Sequence, residues 1–251
     1  MVCFACRRLR LRGSILPMAS LDRHQINMAL AADNPDGVVI ECGVDEVGIG
    51  SAIAEVYAAA CILDPVRRIN GLRDSKELTA ERRQELSKRI RERALDFCIA
   101  TASLEEVNRL NVFGATMLAM QRAVEGLKLR PTLVLIDGNR MPRLSIPART
   151  IVKGDAKVRA ISAASILAKV ARDEAMLKYH DQFPNYGFSS NKGYLTEFHL
   201  ATLKEFGPCP IHRKHYAPVR ALLEGGEPTE VNLELLLGQS VTSQAPLGDS
   251  N

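Results

Sequence analysis

Short apolar runs alternate with longer stretches of helical periodicity through the middle of the chain, and this alternation constrains the fold more than any other feature. The strand-like runs occupy residues 38–44, 56–63, 96–102, 132–136 and 149–152. Helical patterns begin after Thr79, after the capping box Ser103-x-x-Glu106, and after Gly154. The short connection between the first two strands allows a hairpin. We therefore predict an α/β fold, with helices on the faces of a mixed β-sheet.

Three segments are expected along the 251 residues. Residues 1–36 lack a regular period and end at a turn signal, which predicts a poorly ordered extension. The arginine-rich start of this extension fits either a transit peptide or an over-long start. Its Cys3-x-x-Cys6 pair has no second pair downstream to complete a zinc site. Residues 37–223 form the predicted main domain, and residues 224–251 are predicted to be a mobile acidic tail.

Composition narrows the class of protein. No apolar run approaches the roughly 20 residues that a membrane span needs, so a soluble protein is expected. The six cysteines have no framework spacing, which favours reduced thiols and a cytoplasmic setting. The net charge is +4, and the basic start is offset by the acidic tail. The main domain is therefore modestly basic, which is compatible with phosphate binding but does not require it.

Four carboxylates lie at or just past the carboxyl ends of predicted strands: Asp45, Glu46, Asp137 and Asp155. Ligands bind at that edge of an open α/β sheet. Taken singly, the Asp45-Glu46 pair and Asp137 could be turn residues, and Asp155 could be a helix N-cap. Taken together, they would repel one another unless cations lay between them. Hard oxygen ligands of this kind suit Mg²⁺ or Mn²⁺, and a pair of such ions is known for displacement at phosphorus.

Several motifs resemble, in the same order, those of bacterial ribonuclease HII, within the type 2 ribonucleases H. They are Gly43-Val-Asp-Glu-Val-Gly48, Asp74-Ser75-Lys76, Asp137-Gly138-Asn139, the block from Lys153 to Asp173, Lys192-Gly-Tyr194 with Thr196 and His199, and Gly207-Pro-Cys-Pro-Ile-His-Arg213. The resemblance covers residues 38–223. It implies a ribonuclease H-like mixed sheet flanked by helices, with a small helical C-terminal region, and makes residues 37–223 the catalytic domain.

The resemblance also implies an activity. Asp45, Glu46, Asp137 and Asp155 match the family's catalytic, metal-binding carboxylates, which hold two Mn²⁺ or Mg²⁺ ions. The expected enzyme is a ribonuclease H, an endonuclease that cuts the RNA strand of RNA/DNA hybrids. It also nicks duplex DNA on the 5′ side of embedded ribonucleotides, leaving a 5′-phosphate and a 3′-hydroxyl. The expected partners are these nucleic acids, with no membrane association, and the protein is expected to be a monomer.

Substrate contacts follow from the same resemblance. The matching positions are Gly48, Ile49, Gly50, Lys76, Lys153 and Tyr194, with Asp173 and Lys192 as accessory positions. Tyr194 matches a tyrosine that stacks on the sugar beside the cleavage site, and could alternatively be a rim aromatic. Asp173 could assist the metal site or pair with a nearby Lys or Arg. The sequence His212-x-x-His215 has the spacing of metal ligands, although phosphate contact or packing is favoured there.

One position departs from the family pattern. The family's Gly-Arg-Gly turn reads Gly48-Ile49-Gly50 here, so the backbone path persists and the guanidinium is absent. We expect weaker substrate binding or junction choice with intact metal chemistry. An alternative is an attenuated homologue that binds hybrid nucleic acid and cleaves it poorly. A further alternative, a different nuclease or phosphotransferase on the same fold, is disfavoured by the extended downstream motifs.

Overall fold

The computed structural model describes residues 39–226 and two three-residue strands nearer the amino terminus. These strands, β1 (Leu9–Leu11) and β2 (Ser14–Leu16), pair antiparallel. The rest of the predicted extension, including the Cys3-x-x-Cys6 pair, and most of the predicted acidic tail lie outside the described residues. The three segment boundaries therefore stay predictions.

A five-stranded mixed sheet forms the centre of the fold. Its strands are β3 (Glu41–Val47), β4 (Val56–Ile62), β5 (Asp96–Ala102), β6 (Leu133–Asp137) and β7 (Ala148–Ile151). They are ordered β5-β4-β3-β6-β7. The β3–β4 pair is antiparallel, as the predicted hairpin requires, and the β4–β5 pair is antiparallel too. The β3–β6 and β6–β7 pairs are parallel. The predicted mixed sheet is confirmed.

Helices connect and cover the strands. They are α1 (Ala80–Arg93), α2 (Leu104–Glu125), α3 (Gly154–Lys157), α4 (Arg159–Gln182), α5 (Phe188–Asn191), α6 (Glu197–Phe206) and α7 (Ala217–Leu223). Two 3₁₀ turns span Ser75–Glu77 and Pro184–Tyr186. Thr79 caps α1, and the Ser103 capping box opens α2, both as predicted.

The two faces of the sheet bury separate cores. Alternate residues of β4 show this division, because Ala58 and Ala60 face one core and Ala59 and Cys61 face the other. The period of two in a strand produces this alternation. The first core is closed by α2 through Ala115, Ala119 and Ala123, among others. The second is closed by α1 and by the alanine-rich middle of α4. Small side chains on the helices let them lie close to the sheet.

The structure differs from the sequence prediction most at three places. Strand β3 covers residues 41–47 and not 38–44, because its pairing with β4 continues to Val47 opposite Tyr57. The single helix predicted after Gly154 is two helices, since Val158 has an extended backbone. Helix α2 is kinked at Asn111, whose φ is 58°. Each difference depends on local backbone geometry that hydrophobic periodicity does not specify.

The described residues form two compact units. The N-terminal unit contains residues 39–49 and 55–175, and the C-terminal unit contains residues 50–54 and 176–226. The C-terminal unit carries α5, α6 and α7, which form the small helical region that was predicted. Across the described ranges, no helix has the length and apolar character needed to cross a membrane.

Candidate active site

Asp45 and Asp137 come from neighbouring parallel strands of the N-terminal unit. Val44 of β3 pairs with Ile136 of β6, so the next residue of each strand is one of these acids. Asp45 is 4% exposed, and one of its carboxylate oxygens accepts the Glu46 N–H at 2.7 Å. The acids thus belong to the strands themselves, and the alternative that Asp45 and Glu46 form a solvated turn is wrong.

The start of α3 holds Asp137 and brings Asp155 beside it. The Gly154 and Asp155 N–H groups donate to Asp137 Oδ1 at 2.6 and 3.3 Å. A Cβ at position 154 would come within 2.6 Å of Ile161 Cδ1, so a glycine is needed at this approach. Lys153, in a left-handed conformation, occupies the N-cap. The alternative that Asp155 is the N-cap is therefore wrong.

Mutual repulsion links the four acids. Burial, followed by the charges of Glu46 and Asp137, raises the pKa of Asp45 well above its ordinary value. Burial and the Asp137 charge raise the pKa of Glu46 to about 7. Burial and the charge of Asp137 also raise the pKa of Asp155. Asp137 therefore contributes to the field at all three of the other carboxylates, which indicates that the four form one electrostatic cluster.

A pair of buried serines supports this cluster. The Ser165 hydroxyl on α4 hydrogen-bonds to the Asp45 carboxylate, and its oxygen lies 2.9 Å from that of Ser75. Sequence reasoning assigned no role to either serine, although both fall within the motifs that carry the resemblance. The pair ties the Asp74-Ser75-Lys76 segment to Asp45.

Two of the predicted basic residues lie in the N-terminal unit. Lys76 is exposed, and its positive charge partly opposes the burial that raises the pKa of Glu46 and of Asp155, which places it within electrostatic reach of both. Lys153 is exposed at the N-cap of α3. Asp173 pairs with Lys169 at 2.7 Å and with Arg83 at 3.9 Å. Its contacts favour the ion-pair alternative over an accessory metal ligand.

The remaining predicted contacts divide between the units. Gly48 and Ile49 belong to the N-terminal unit, whereas Gly50, Lys192 and Tyr194 belong to the C-terminal unit. Within the latter, the ring of Tyr194 packs against Gly50, since a Cβ there would lie 3.3 Å from Tyr194 Cε1. Tyr194 is 41% exposed. Its ring can therefore both pack on the loop and face a ligand.

The His212-Arg213 pair has a structural role. His212 and Arg213 are 3% and 1% exposed, so neither side chain is open to a phosphate. The Arg213 Nε and Nη1 atoms donate to the backbone carbonyls of Ala54 and Ser51. Of the two favoured alternatives for this segment, phosphate contact and packing, the contacts of His212 and Arg213 support packing.

The chemistry of the acid cluster fits divalent ions. Asp45, Glu46, Asp137 and Asp155 offer hard carboxylate oxygens. Burial disfavours the charged forms of Asp45, Glu46 and Asp155 unless a cation compensates. Within residues 39–226, no group of three or more acidic, histidine or cysteine side chains is already drawn together as the ligands of one ion.

Comparison with known proteins places this architecture in a class. The chain is similar to the solved ribonuclease H2 of Pyrococcus horikoshii, with a TM-score of 0.63 and 23% identity over 74% of this chain and 97% of that one. It is also similar to Bst-RNase HIII solved with Mn²⁺, with a TM-score of 0.56 and 18% identity over 74% of this chain and 70% of that one. These likenesses show a ribonuclease H fold, as predicted.

Sequence comparison identifies the family. The pattern of the family described as Ribonuclease HII matches residues 42–219. The Ribonuclease HII of Desulforamulus reducens is 58% identical over 196 residues, covering 78% of this chain and 99% of the relative. The chain therefore belongs to the ribonuclease HII family. It is accordingly an endonuclease of the ribonuclease H type, and the alternative of an attenuated binding homologue is not favoured.

Proposed function

We propose that the protein cuts the RNA strand of RNA/DNA hybrids and nicks duplex DNA on the 5′ side of embedded ribonucleotides. The observation that carries this proposal is the grouping of four carboxylates around Asp137 in a chain of the ribonuclease HII family. The products would be a 5′-phosphate and a 3′-hydroxyl. Such a reaction requires charge stabilisation at phosphorus, which an isolated acid cluster cannot supply.

Asp45, Glu46, Asp137 and Asp155 are the residues that would hold divalent ions, and Mn²⁺ or Mg²⁺ suits their oxygen ligands. The Mn²⁺ complex of Bst-RNase HIII is consistent with that choice. When bound, such ions would supply Lewis-acid chemistry to water and to the departing 3′ oxygen. The chain itself fixes the acids, because Gly154 donates to Asp137 and Ser165 donates to Asp45.

Substrate binding would use further groups of each unit. The exposed ammonium groups of Lys76 and Lys153 can approach backbone phosphates, and Lys192 has the same chemistry in the C-terminal unit. Gly48, Ile49 and Gly50 would present the backbone that contacts the ribose hydroxyl, which distinguishes RNA from DNA. Tyr194 would stack on the sugar, and Asp173 would act only through its ion pairs.

The proposed setting is the cytoplasm, with the enzyme acting as a monomer. Among the described residues, Cys42, Cys61, Cys98 and Cys209 are free thiols. Burial raises the pKa of each of these thiols, so they are kept in the unreactive protonated form. Four free, protonated thiols of this kind are typical of proteins in a reducing compartment.

The test is cleavage of a DNA duplex that contains one ribonucleotide. With Mg²⁺ or Mn²⁺, the wild-type chain should cut on the 5′ side of that nucleotide and leave an all-DNA duplex intact. Asp137→Asn should reduce the cleavage rate by at least about 10³-fold, since it removes a charge at the centre of the cluster. Binding without cleavage by the wild type would instead support the attenuated alternative, and cleavage of the all-DNA control would contradict the proposed specificity.

The variant needs a control for folding. Asp64→Asn makes the same change at a buried acid that accepts the backbone N–H groups of Val66 and Arg67. This aspartate caps a turn and takes no part in the proposed cluster. Thermal unfolding of both variants, compared with the wild type, separates a loss of cleavage from a loss of structure.

A further inference from the structure

Two buried histidines of the C-terminal unit contact each other. His199 on α6 and His212 are 0% and 3% exposed, and their Nε2 atoms lie 3.1 Å apart. At that distance one Nε2 must donate and the other accept, because two protonated nitrogens would repel and two bare ones could not bond. Burial lowers the pKa of both imidazoles, which keeps the pair neutral.

The neighbours of the pair determine which nitrogen carries each proton. The His212 Nδ1 atom lies 3.0 Å from the Cys209 backbone nitrogen, 3.1 Å from its Sγ and 3.2 Å from its carbonyl oxygen. One arrangement agrees with the Tyr194 carbonyl, which can only accept a hydrogen bond from His199: the His212 proton is on Nε2, and His212 Nδ1 accepts the Cys209 N–H. His199 Nε2 must then accept from His212, and the His199 proton is on Nδ1. This Nδ1–H group donates to the backbone carbonyl of Tyr194 at 2.9 Å. A directed hydrogen-bond chain therefore runs from Cys209 through both rings to Tyr194.

The backbone that receives this bond has an uncommon conformation. Lys192 and Gly193 both have positive φ angles, 51° and 80°, which costs free energy at a residue other than glycine. The Asn191 side chain accepts the Gly193 N–H at 2.8 Å on one side of the turn. On the other side, the Tyr194 carbonyl accepts the Thr196 N–H at 2.8 Å as well as the His199 proton. Tyr194 thus follows a strained turn that hydrogen bonds hold at both ends.

The same turn is packed against the loop of residues 50–54. The Ala52 N–H donates to the Gly193 carbonyl at 2.9 Å. A Cβ at position 193 would lie 2.4 Å from Ile53 Cγ1, so only glycine allows this approach. Arg213 fixes the far side of the loop through the Ser51 and Ala54 carbonyls. Small shifts of the Tyr194 backbone would therefore separate its ring from Gly50.

We propose that His199 is a positioning residue that, with its tautomer set by His212, holds the Tyr194 carbonyl and so keeps the Tyr194 ring beside Gly50 for contact with the ribonucleotide sugar. The inference rests on the proposed function, because Tyr194 and Gly50 meet a sugar only if the chain acts on ribonucleotides. It assigns to a buried histidine a part in substrate selection that burial alone would not indicate.

Two substitutions at position 199 separate this role from packing. His199→Asn can keep a donor at the position of Nδ1 and rescue the bond to Tyr194. His199→Gln can keep an acceptor at the position of Nε2 for His212 and loses the bond to Tyr194. For a duplex with one ribonucleotide, His199→Gln should raise KM about three- to tenfold with a smaller change in kcat, as expected for one lost hydrogen bond. His199→Asn should restore most of that loss.

Combining the substitutions with Tyr194→Ala gives the decisive comparison. If His199 acts through the ring of Tyr194, then His199→Gln should change KM less than about twofold once that ring is removed. Equal effects of His199→Gln in the presence and absence of the Tyr194 ring would overturn the inference. So would equal KM values for His199→Asn and His199→Gln.

A spectroscopic measurement tests the hydrogen-bond chain apart from activity. Nitrogen NMR of the wild-type imidazoles at neutral pH should show His199 protonated at Nδ1 and His212 protonated at Nε2. The reverse assignment would overturn the inference even in an active enzyme. A wild-type chain that fails to cut at the ribonucleotide would overturn the proposed function and this inference together. An active wild-type enzyme whose KM is unchanged by His199→Gln and His199→Asn would overturn the inference alone.

Discussion

Ile49 lies in a turn whose backbone path is set by its neighbours. Gly48 has a φ of 100°, and a Cβ there would come within 2.5 Å of Arg172 Nε. Glycine alone combines that dihedral angle with so close an approach. A substitution at position 49 therefore changes the chemistry that the turn offers to a ligand more than it changes the shape of the turn.

Restoring the family's arginine should strengthen substrate binding. We expect Ile49→Arg to lower the Kd for a duplex with one ribonucleotide by about tenfold, since a charged hydrogen bond contributes about 1.5–3 kcal/mol. The gain falls at the lower end of that range because Arg172, packed under Gly48, places a like charge near the turn. Equilibrium binding and single-turnover cleavage measure the effect. Ile49→Gln is the control for length without charge, and an unchanged Kd in both variants would contradict the expectation.

At the scale of single residues, the positions of the acids could be predicted from the sequence. The side chains that hold the acids and the turn in place could not. Asp137 before a glycine at a strand end is a local pattern. The bond between Ser75 and Ser165 joins residues 90 positions apart, so no local pattern specifies it. The same holds for Arg172 under Gly48. Sequence reasoning identified groups that carry chemistry, whereas the groups that hold them depend on the completed tertiary structure.

At the scale of elements, an ion pair joins the two parts of the kinked helix α2. Asn111 interrupts the helix, and its Oδ1 atom accepts the N–H groups of Phe113 and Gly114, so it caps the second part. The capping-box residue Glu106 then meets Arg122 of the second part through two bonds of 2.6 and 2.7 Å. The sequence predicted the capping box and not the kink, because the helical period continues on both sides of Asn111.

Removing the Glu106 charge should destabilise the protein in a pH-dependent way. The Arg122 guanidinium lowers the pKa of Glu106 to about 2, below the unfolded value of about 4.3. The stabilisation is therefore present above about pH 4.3 and is lost as the pH falls toward 2. For Glu106→Gln we expect a loss of about 0.5–1 kcal/mol at pH 7, because the pair is on the surface and screened. The difference from the wild type should vanish near pH 2.

Urea unfolding at pH 7, 4 and 2.5 measures this difference. Glu105→Gln makes the same change of charge one residue earlier in the same helical turn and serves as the matched control. A loss for Glu106→Gln that is constant over this pH range would show that the ion pair is not its cause.

At the scale of the whole molecule, the chain crosses between its two compact units more than once. A small helical C-terminal region was predicted from the resemblance and is present. That residues 50–54 belong to it could not be predicted, because this loop follows directly on β3 and the turn after it. Its membership depends on long-range pairs, such as the bridge between Ile53 and His212 and the bond from Ala54 to the Ile211 carbonyl.

The buried histidine pair makes the C-terminal unit sensitive to acid. Burial and the neighbouring His199 lower the pKa of His212 to about 4, whereas an unfolded histidine titrates near 6.5. The unfolded chain therefore binds a proton in the interval from about 6.5 to 4 that the folded chain excludes. The contribution of the neutral, buried His212 to stability is complete above about pH 6.5. It is lost as the pH falls, by about 1.4 kcal/mol per pH unit inside that interval.

His212→Asn should remove that dependence while retaining an oxygen that can accept the Cys209 N–H. We expect its free energy of unfolding, measured with urea between pH 7 and 4.5, to fall less steeply with decreasing pH than that of the wild type. The difference in slope should correspond to about one proton fewer taken up on unfolding. The raised acids of the cluster titrate in both proteins, so their contribution cancels in the comparison. Phe188→Leu, at a buried ring beside both histidines, is the control, because it should lower stability equally at every pH. Parallel pH profiles for His212→Asn and the wild type would mean that the pair is not what couples this unit to acid.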